Sequence, residues 1–334
     1  MSRYTAVHTK PQGPGDARPT ALQIVKDEEL EGKLKAKVIV ITGTSSGIGI
    51  ETARALAATG ATLYLTVRDL KKAQDALVGI LEKDRVELVE LDNESLDSVR
   101  AAASTILSKS NNQVNILVNN AGIMAIPDLQ FTKDGHELQF GTNHLSHFLL
   151  FQLLKPALLA SSTPDFHSRV VNLSSNAHAQ GGINESDNYN YEKGGYHPLG
   201  AYAQSKTANI YMANEIDRRY GSKGLHATSV HPGIIGTGLM VHLPPDAFAE
   251  AVKNPDIGNS IKSVEQGAAT TVWAAIAKQW ENKGGKYLAD VGVAGEQKSP
   301  VPSDPGYVAY TYDPEKEERL WKDSLKLVGL QDDK

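Results

Sequence analysis

Cysteine is absent from this chain. That excludes a disulfide framework, a thiolate metal centre and a redox thiol, and it fits a cytoplasmic setting. Long apolar runs are absent as well. No stretch reaches the roughly 18 uninterrupted apolar residues that a membrane span needs. The opening MSRYTAVHTKPQGPGDARPT lacks the apolar core of a secretory leader. Basic surplus is also missing: the formal charge is −5, which favours solubility and gives no reason to expect nucleic-acid binding. The ten histidines are scattered. The stretch holding His136, His144 and His147 reads as packing or surface rather than as a metal site. Asn-x-Ser triplets at Asn93, Asn172 and Asn184 matter only in a secreted protein.

What remains is an ordinary globular composition, 40% hydrophobic and 22% charged, in 334 residues that could hold one large α/β domain or two small ones. Residues 1–34 are polar and carry Pro11, Pro14 and Pro19 with Gly13 and Gly15. They read as an arm, either flexible or wrapped on the surface. From residue 37 strand-like and helix-like stretches alternate. Strands are expected over 37–42, 61–67, 85–91, 113–120, 168–175, 225–231 and 285–289. Helices are expected near 48–59, 70–82, 95–109, 134–159, 200–220 and 264–280. This rhythm predicts right-handed βαβ crossovers and a single doubly wound Rossmann domain over 35–290, with a seven-stranded parallel sheet covered on both faces. Irregular inserts near 176–199 and 237–262 would form a substrate wall, and 291–334 a C-terminal extension packing on the domain.

The first turn, Thr42-Gly43-Thr44-Ser45-Ser46-Gly47-Ile48-Gly49, lies between a strand and a helix. Its glycines permit a tight bend, close approach of a pyrophosphate and close helix–sheet packing, with the phosphates at the positive helix end. The spacing is TGxxxGxG rather than GxGxxG. Enzymes that prefer NAD commonly carry an acid at the end of the second strand, yet here Val67 precedes Arg68. An arginine there suits a 2′-phosphate, so NADP(H) is favoured over NAD(H). Alternatively Arg68 is a solvated helix-start residue with Asp69 as the N-cap.

The ordered set TGTSSGIG (42–49), Asn119-Asn120-Ala121-Gly122, Asn143, Ser175, Tyr202-Ala-Gln-Ser-Lys206 and His231-Pro232-Gly233 through Thr237 resembles the short-chain dehydrogenase/reductase family. The strings TVRDLKKA, ELQFGTNHLSHFLL, RVVNLSSNAH and YAQSKTANI are similar to its retinol dehydrogenase and WW-domain oxidoreductase branch. The resemblance implies Tyr202 as proton donor and Lys206 as both its electrostatic partner and a holder of the nicotinamide ribose. Tyrosine titrates near pH 10 in water, and a lysine one turn along would lower that value. Ser175, rather than its neighbour Ser174, would bond the substrate carbonyl, and Asn143 would hold a water behind the lysine. Asp92 would contact the adenine, its alternative being an N-cap for the helix starting near Ser95. Asn119, Ala121 and Gly122 would border the adenine ribose, Thr237 would bond the nicotinamide carboxamide, and Pro232 and Gly233, also on the cofactor side, would shape that turn.

The 27 residues from Ser175 to Tyr202 and the apolar Leu239-Met240-Val241 after Thr237 suggest a lidded pocket for a ketone or aldehyde on a largely apolar molecule. Such an enzyme would act on small molecules and not on nucleic acid, and could pair as a homodimer. The competing readings are a catalytically silent NADP(H)-binding regulator or scaffold, and a sugar-nucleotide epimerase or dehydratase.

Overall fold

Alternate residues of the central strands feed two separate cores. In β1 (Val38–Thr42) every residue is buried. Val38 and Val40 join one apolar cluster, whereas Ile39 and Ile41 join the other. The same division separates Leu117 from Ile116 and Val118 in β4 (Ile116–Asn119), and Val170 from Val171 in β5 (Ser168–Leu173). Strands apolar on both faces belong in the middle of a parallel sheet covered by helices on each side. The computed structural model, which describes residues 2–299 and 301–332, has that architecture.

With β2 (Thr62–Val67), β3 (Val86–Glu90), β6 (Leu225–Val230), β7 (Lys286–Ala289) and β8 (Gly292–Val293), the order is β3-β2-β1-β4-β5-β6-β7-β8. The first seven strands are parallel, as the rhythm of the sequence predicts. The eighth is an addition to the expected seven, pairing antiparallel with β7 through Ala289↔Gly292. Its two-residue loop, Asp290-Val291, holds both residues at positive φ, the requirement of a type I′ hairpin. A β-branched residue rarely accepts that conformation, so the usual Asn-Gly signature is absent. Here a hydrogen bond from Val291 N to Thr270 Oγ1 (3.1 Å) helps to hold it.

One face carries α1 (Ala21–Asp27), α2 (Ile48–Ala57), α3 (Leu70–Ala76) and, later in the chain, α10 (Val264–Gly267) and α11 (Ala269–Ile276). The other carries α4 (Leu96–Lys109), α6 (Ser146–Ser161) and α7 (Pro198–Tyr220). A short α5 (Leu138–Phe140) precedes α6. The insert after β6 contains α8 (Ala247–Val252) and α9 (Pro255–Ser260), and α12 (Pro314–Leu327) lies on α7. Trp321 of α12 is buried with its ring edge-on to Phe148 at 5.0 Å. In the arm, Ile24 and Val25 are fully buried in the α2/α11 core.

The helix expected over 134–159 starts only at Leu138 and widens into a π-turn over Gly141–Leu145. Asn143 sits in that turn, bonded through both side-chain polar atoms to the backbone of Ile123, at 2.9 Å each. Gly141 permits the wide turn to lie against Thr132: an added Cβ would stand 2.5 Å from Thr132 Cγ2. Such π-turns are frequent at functional positions.

Candidate active site

The strand order reverses between β1 and β4, so the crevice for a nucleotide opens beyond their C-terminal ends. Two turns meet there. Thr42 Oγ1 accepts hydrogen bonds from the Asn120 and Ala121 amides, both at 2.9 Å, while Asn120 Nδ2 donates to the Thr42 and Gly43 carbonyls at 2.8 and 3.1 Å. Gly43 lies at φ +69°, and a Cβ on it would be 2.7 Å from Ala121 Cα. A Cβ on Gly49 would be 2.2 Å from the Gly43 carbonyl oxygen. Gly47 occupies the N-cap of α2 at positive φ, and a Cβ there would lie 3.5 Å from Thr237. The glycines therefore bring three chain segments to one helix end, with Ile48 half-buried, Ser45 partly exposed and Ser46 exposed at the mouth.

Other expected nucleotide residues stand differently. Arg68 is 72% exposed, with Nη1 3.1 Å from Glu94 Oε1, and Asp69 caps α3. The second-strand arginine thus remains at the rim, available to a ligand. Asp92 is not an N-cap, because Ser95 caps α4. Its carboxylate accepts from the Glu94 amide at 3.1 Å and pairs with Lys133 at 2.8 Å. Asn119 has its side chain buried in the sheet face, donating to Asn172 Oδ1 at 2.8 Å. Asn120, Ala121 and Gly122 follow it in the turn that meets the glycine loop. Pro232 and Gly233 rest on Lys262, whose Nζ donates to the Pro232 carbonyl at 3.1 Å and pairs with Asp290 at 2.7 Å.

The four expected catalytic residues converge. Ser174 donates to the Lys206 carbonyl at 2.8 Å and is spent on packing β5 against α7. Ser175 emerges on the other side, accepts from the Ala177 amide at 3.1 Å, donates to Asn176 Oδ1 at 3.3 Å and lies near enough to the Tyr202 phenol to favour its charged form. Tyr202 and Lys206 are both buried on α7. Lys206 Nζ reaches the Leu173 carbonyl at 3.1 Å and lies 5.4 Å from the Tyr202 ring centre. Gly122 leaves room for this meeting, since a Cβ on it would touch Asn143 Oδ1 at 3.2 Å and Lys206 Nζ at 3.4 Å. Asn143 Nδ2 also donates to Ser205 Oγ at 2.9 Å.

The expectation that Lys206 lowers the Tyr202 pKa needs correction for the protein alone. Burial pushes the phenol up to about 12, opposed only by the nearby Ser175 hydroxyl, and pushes Lys206 down to about 8. Taking each group out of water disfavours its charged form, and for both groups that desolvation is the leading cause of the shift.

His147, expected from the sequence to be packing or surface, links the two halves of the site. Thr42 Oγ1 already accepts two amide protons, so its own proton must go to His147 Nε2, 2.8 Å away. His147 Nδ1 then carries the ring proton and donates to the Asn143 carbonyl at 2.9 Å. The signal was there in the four-residue spacing from Asn143, but it needs the Thr42 contact to acquire meaning. His178 plays a similar part below Ser175, bonding its carbonyl through Nδ1 at 2.7 Å and Thr311 through Nε2 at 3.1 Å.

These buried imidazoles make the fold acid-sensitive. Burial pushes His147 and His178 down to about 4, and His144 and His231 down to about 3. Unfolded, they titrate near 6.5, so below that value the unfolded chain binds protons that the folded chain refuses. Stability present above pH 6.5 is therefore lost as pH falls toward the folded values. At about pH 5.5 each costs roughly 1.4 kcal/mol, about 5.5 kcal/mol together. Urea unfolding should show a clear fall in midpoint between about pH 7.5 and about pH 5.5; a constant midpoint would contradict four neutral buried histidines.

The comparisons with known proteins agree with this geometry. The family model described as short chain dehydrogenase matches residues 37–247. Short-chain dehydrogenase/reductase prx1 of Penicillium roqueforti is 52% identical, over 99% of this chain and 96% of the relative. Retinol dehydrogenase 13 of Homo sapiens is 36% identical over 89% and 86%. A crystal structure of a protein from Mycobacterium Paratuberculosis superimposes with a TM-score of 0.66 at 32% identity, covering 88% of this chain and 94% of the other. No helix of the described residues is long and apolar enough to cross a membrane. The chain belongs to the short-chain dehydrogenase/reductase family of oxidoreductases and is similar to its retinol dehydrogenase branch.

Proposed function

We propose that the protein is an NADP(H)-dependent carbonyl reductase acting on a ketone or aldehyde with a largely apolar body. The observation that carries this reading is the convergence of Ser175, Tyr202, Lys206 and Asn143: Lys206 Nζ lies 5.4 Å from the Tyr202 ring centre, and it meets Asn143 Oδ1 at Gly122, next to the turn that joins the glycine loop. The residues fit the nucleotide. The cradle between Gly43, Gly49 and Ala121 is one that any Cβ would fill, and the N-terminus of α2 lies at its end. Gly43 to Gly49 would hold the pyrophosphate, Arg68 the 2′-phosphate, Lys206 the nicotinamide ribose, and Thr237 with Pro232 and Gly233 the carboxamide. Bound NADPH would supply the hydride.

The chain's own work is proton handling. Ser175 Oγ and the Tyr202 phenol donate hydrogen bonds to the substrate carbonyl oxygen, where negative charge develops. Tyr202, kept protonated at neutral pH by burial, passes its proton to that oxygen. The Lys206 ammonium, within reach of the ring, stabilises the phenolate that remains. For the substrate, the segment over Gly238–Met240 buries none of its residues and Val241 is 74% exposed. Leu239 and Met240 are half-buried and Val241 exposed, so this segment presents apolar surface that the fold covers only in part.

The direct test follows NADPH oxidation across a panel of apolar ketones and aldehydes. Binding of NADPH without turnover on any of them would favour a silent nucleotide-binding regulator. For the cofactor, Arg68→Ala should weaken NADPH by about 10-fold or more, the value of a lost charge-assisted phosphate contact, and leave NADH nearly unchanged. Equal weakening of both would sink the NADP(H) assignment.

A further inference from the structure

The lid after β6 has no core of its own: neither the Gly238–Met240 turn nor α8 nor α9 buries a single residue. Its position must be set at its two roots. The leading root is Thr237, packed against Gly47 of the nucleotide turn. The trailing root, 259–262, is held from far away in the sequence.

Arg18 of the N-terminal arm is 4% exposed, a rare state for an arginine. Its Nε bonds Asp16 at 2.8 Å. Nη1 donates to the Ser260 carbonyl at 2.8 Å, and Nη2 to the carbonyls of Ile261 at 2.6 Å and Gly13 at 3.0 Å, with Asn259 at 3.4 Å. The guanidinium fork therefore collects the last carbonyls of the lid on one rigid plane. Neighbouring contacts strengthen the clasp: the Gly13 amide donates to the Asn259 carbonyl at 2.9 Å, and Gln266 bonds the Gly15 amide and the Asp16 and Arg18 carbonyls. The next residue, Lys262, supports Pro232 from beneath, and its amide donates to the Ile234 carbonyl at 2.9 Å. A continuous chain of bonds thus runs from the arm, through the trailing root of the lid, to the Pro232-Gly233 turn.

We propose that Arg18 is a positioning residue for the substrate lid, so that the N-terminal arm sets how closely residues 237–261 cover the active site. The inference rests on reading that segment as the lid of a reductase. Arg18 makes its side-chain bonds to the arm and to the trailing root of the lid. It acts on substrate binding rather than on proton transfer, and the expected kinetic signature is a raised KM with kcat preserved.

The test uses Arg18→Lys in the full chain, which keeps the charge beside Asp16 but cannot spread donors over three carbonyls. Hydrogen exchange at amides of 237–261 should accelerate about ten-fold while β1 to β6 stay protected. The KM for decanal with saturating NADPH should rise about ten-fold, with kcat within about three-fold of the parent. Unchanged exchange in the lid, or faster exchange with unchanged KM, overturns the proposal, as does a loss confined to kcat. Should Arg18→Lys fail to fold, the pair Asp16→Asn with Arg18→Met, which leaves no buried unpaired charge, is measured the same way. If the parent protein reduces neither decanal nor other carbonyls, the reductase reading fails instead, and lid exchange still reports whether Arg18 holds that segment.

Discussion

Tyr202→Phe should lower kcat for carbonyl reduction by about 10³-fold, the range that one positioned acid–base group supplies, while leaving the affinity for NADPH within a few-fold. The substitution removes only the hydroxyl. The ring stays packed on α7 with Lys206 Nζ 5.4 Å from its centre, and Ser174 continues to fasten the Lys206 carbonyl. Nothing in the glycine turn changes. What is lost is the one proton that can reach the substrate oxygen beside Ser175. A companion result concerns pH. The donor is the protonated phenol, held up to about 12, whereas Lys206 is held down to about 8. As pH rises, Lys206 loses its charge first, so the reduction rate of the parent enzyme should decline above about pH 8 before the phenol itself titrates. Normal turnover by Tyr202→Phe on an accepted substrate would overturn the proposed mechanism.

Gly49→Ala should weaken NADPH binding by about 10²-fold, equivalent to about 2.7 kcal/mol, although alanine is the better helix former. Position 49 lies within α2, where propensity alone favours the change. The collision decides otherwise: the new methyl would stand 2.2 Å from the Gly43 carbonyl oxygen and 2.8 Å from Asn120 Nδ2. Neither can yield without pulling apart the Thr42–Asn120–Ala121 bonds that join the two turns. Overpacking of this kind also costs about 1–3 kcal/mol of stability, so nucleotide titration by fluorescence is to be read on protein shown to be folded. Gly295→Ala is the control, since its added Cβ meets nothing within 4 Å. Equal NADPH affinity in Gly49→Ala and the parent would show that the close approach of α2 to β1 is not required.

The sequence by itself determined the frame and the chemical cast. Strands apolar on both faces, spaced by helices, have one stable arrangement, a helix-covered parallel sheet; the ordered glycines and the Ser175, Tyr202 and Lys206 set then fall at its C-terminal edge. Only the tertiary structure decided how those residues are occupied. Which of Ser174 and Ser175 faces the phenol depends on which one α7 consumes. Asn119 Nδ2 donates to Asn172 in the next strand, a contact that no local sequence pattern shows. His147 looked like packing but closes a bond from Thr42 to Asn143. The Tyr202 pKa moves up, not down, because desolvation is a property of the whole surroundings and cannot be read from a four-residue spacing. Arg18 shows the same limit at longer range. Its partners lie about 240 residues along the chain, and no local pattern announces them, because a buried charge is satisfied by whichever carbonyls the completed fold brings to it.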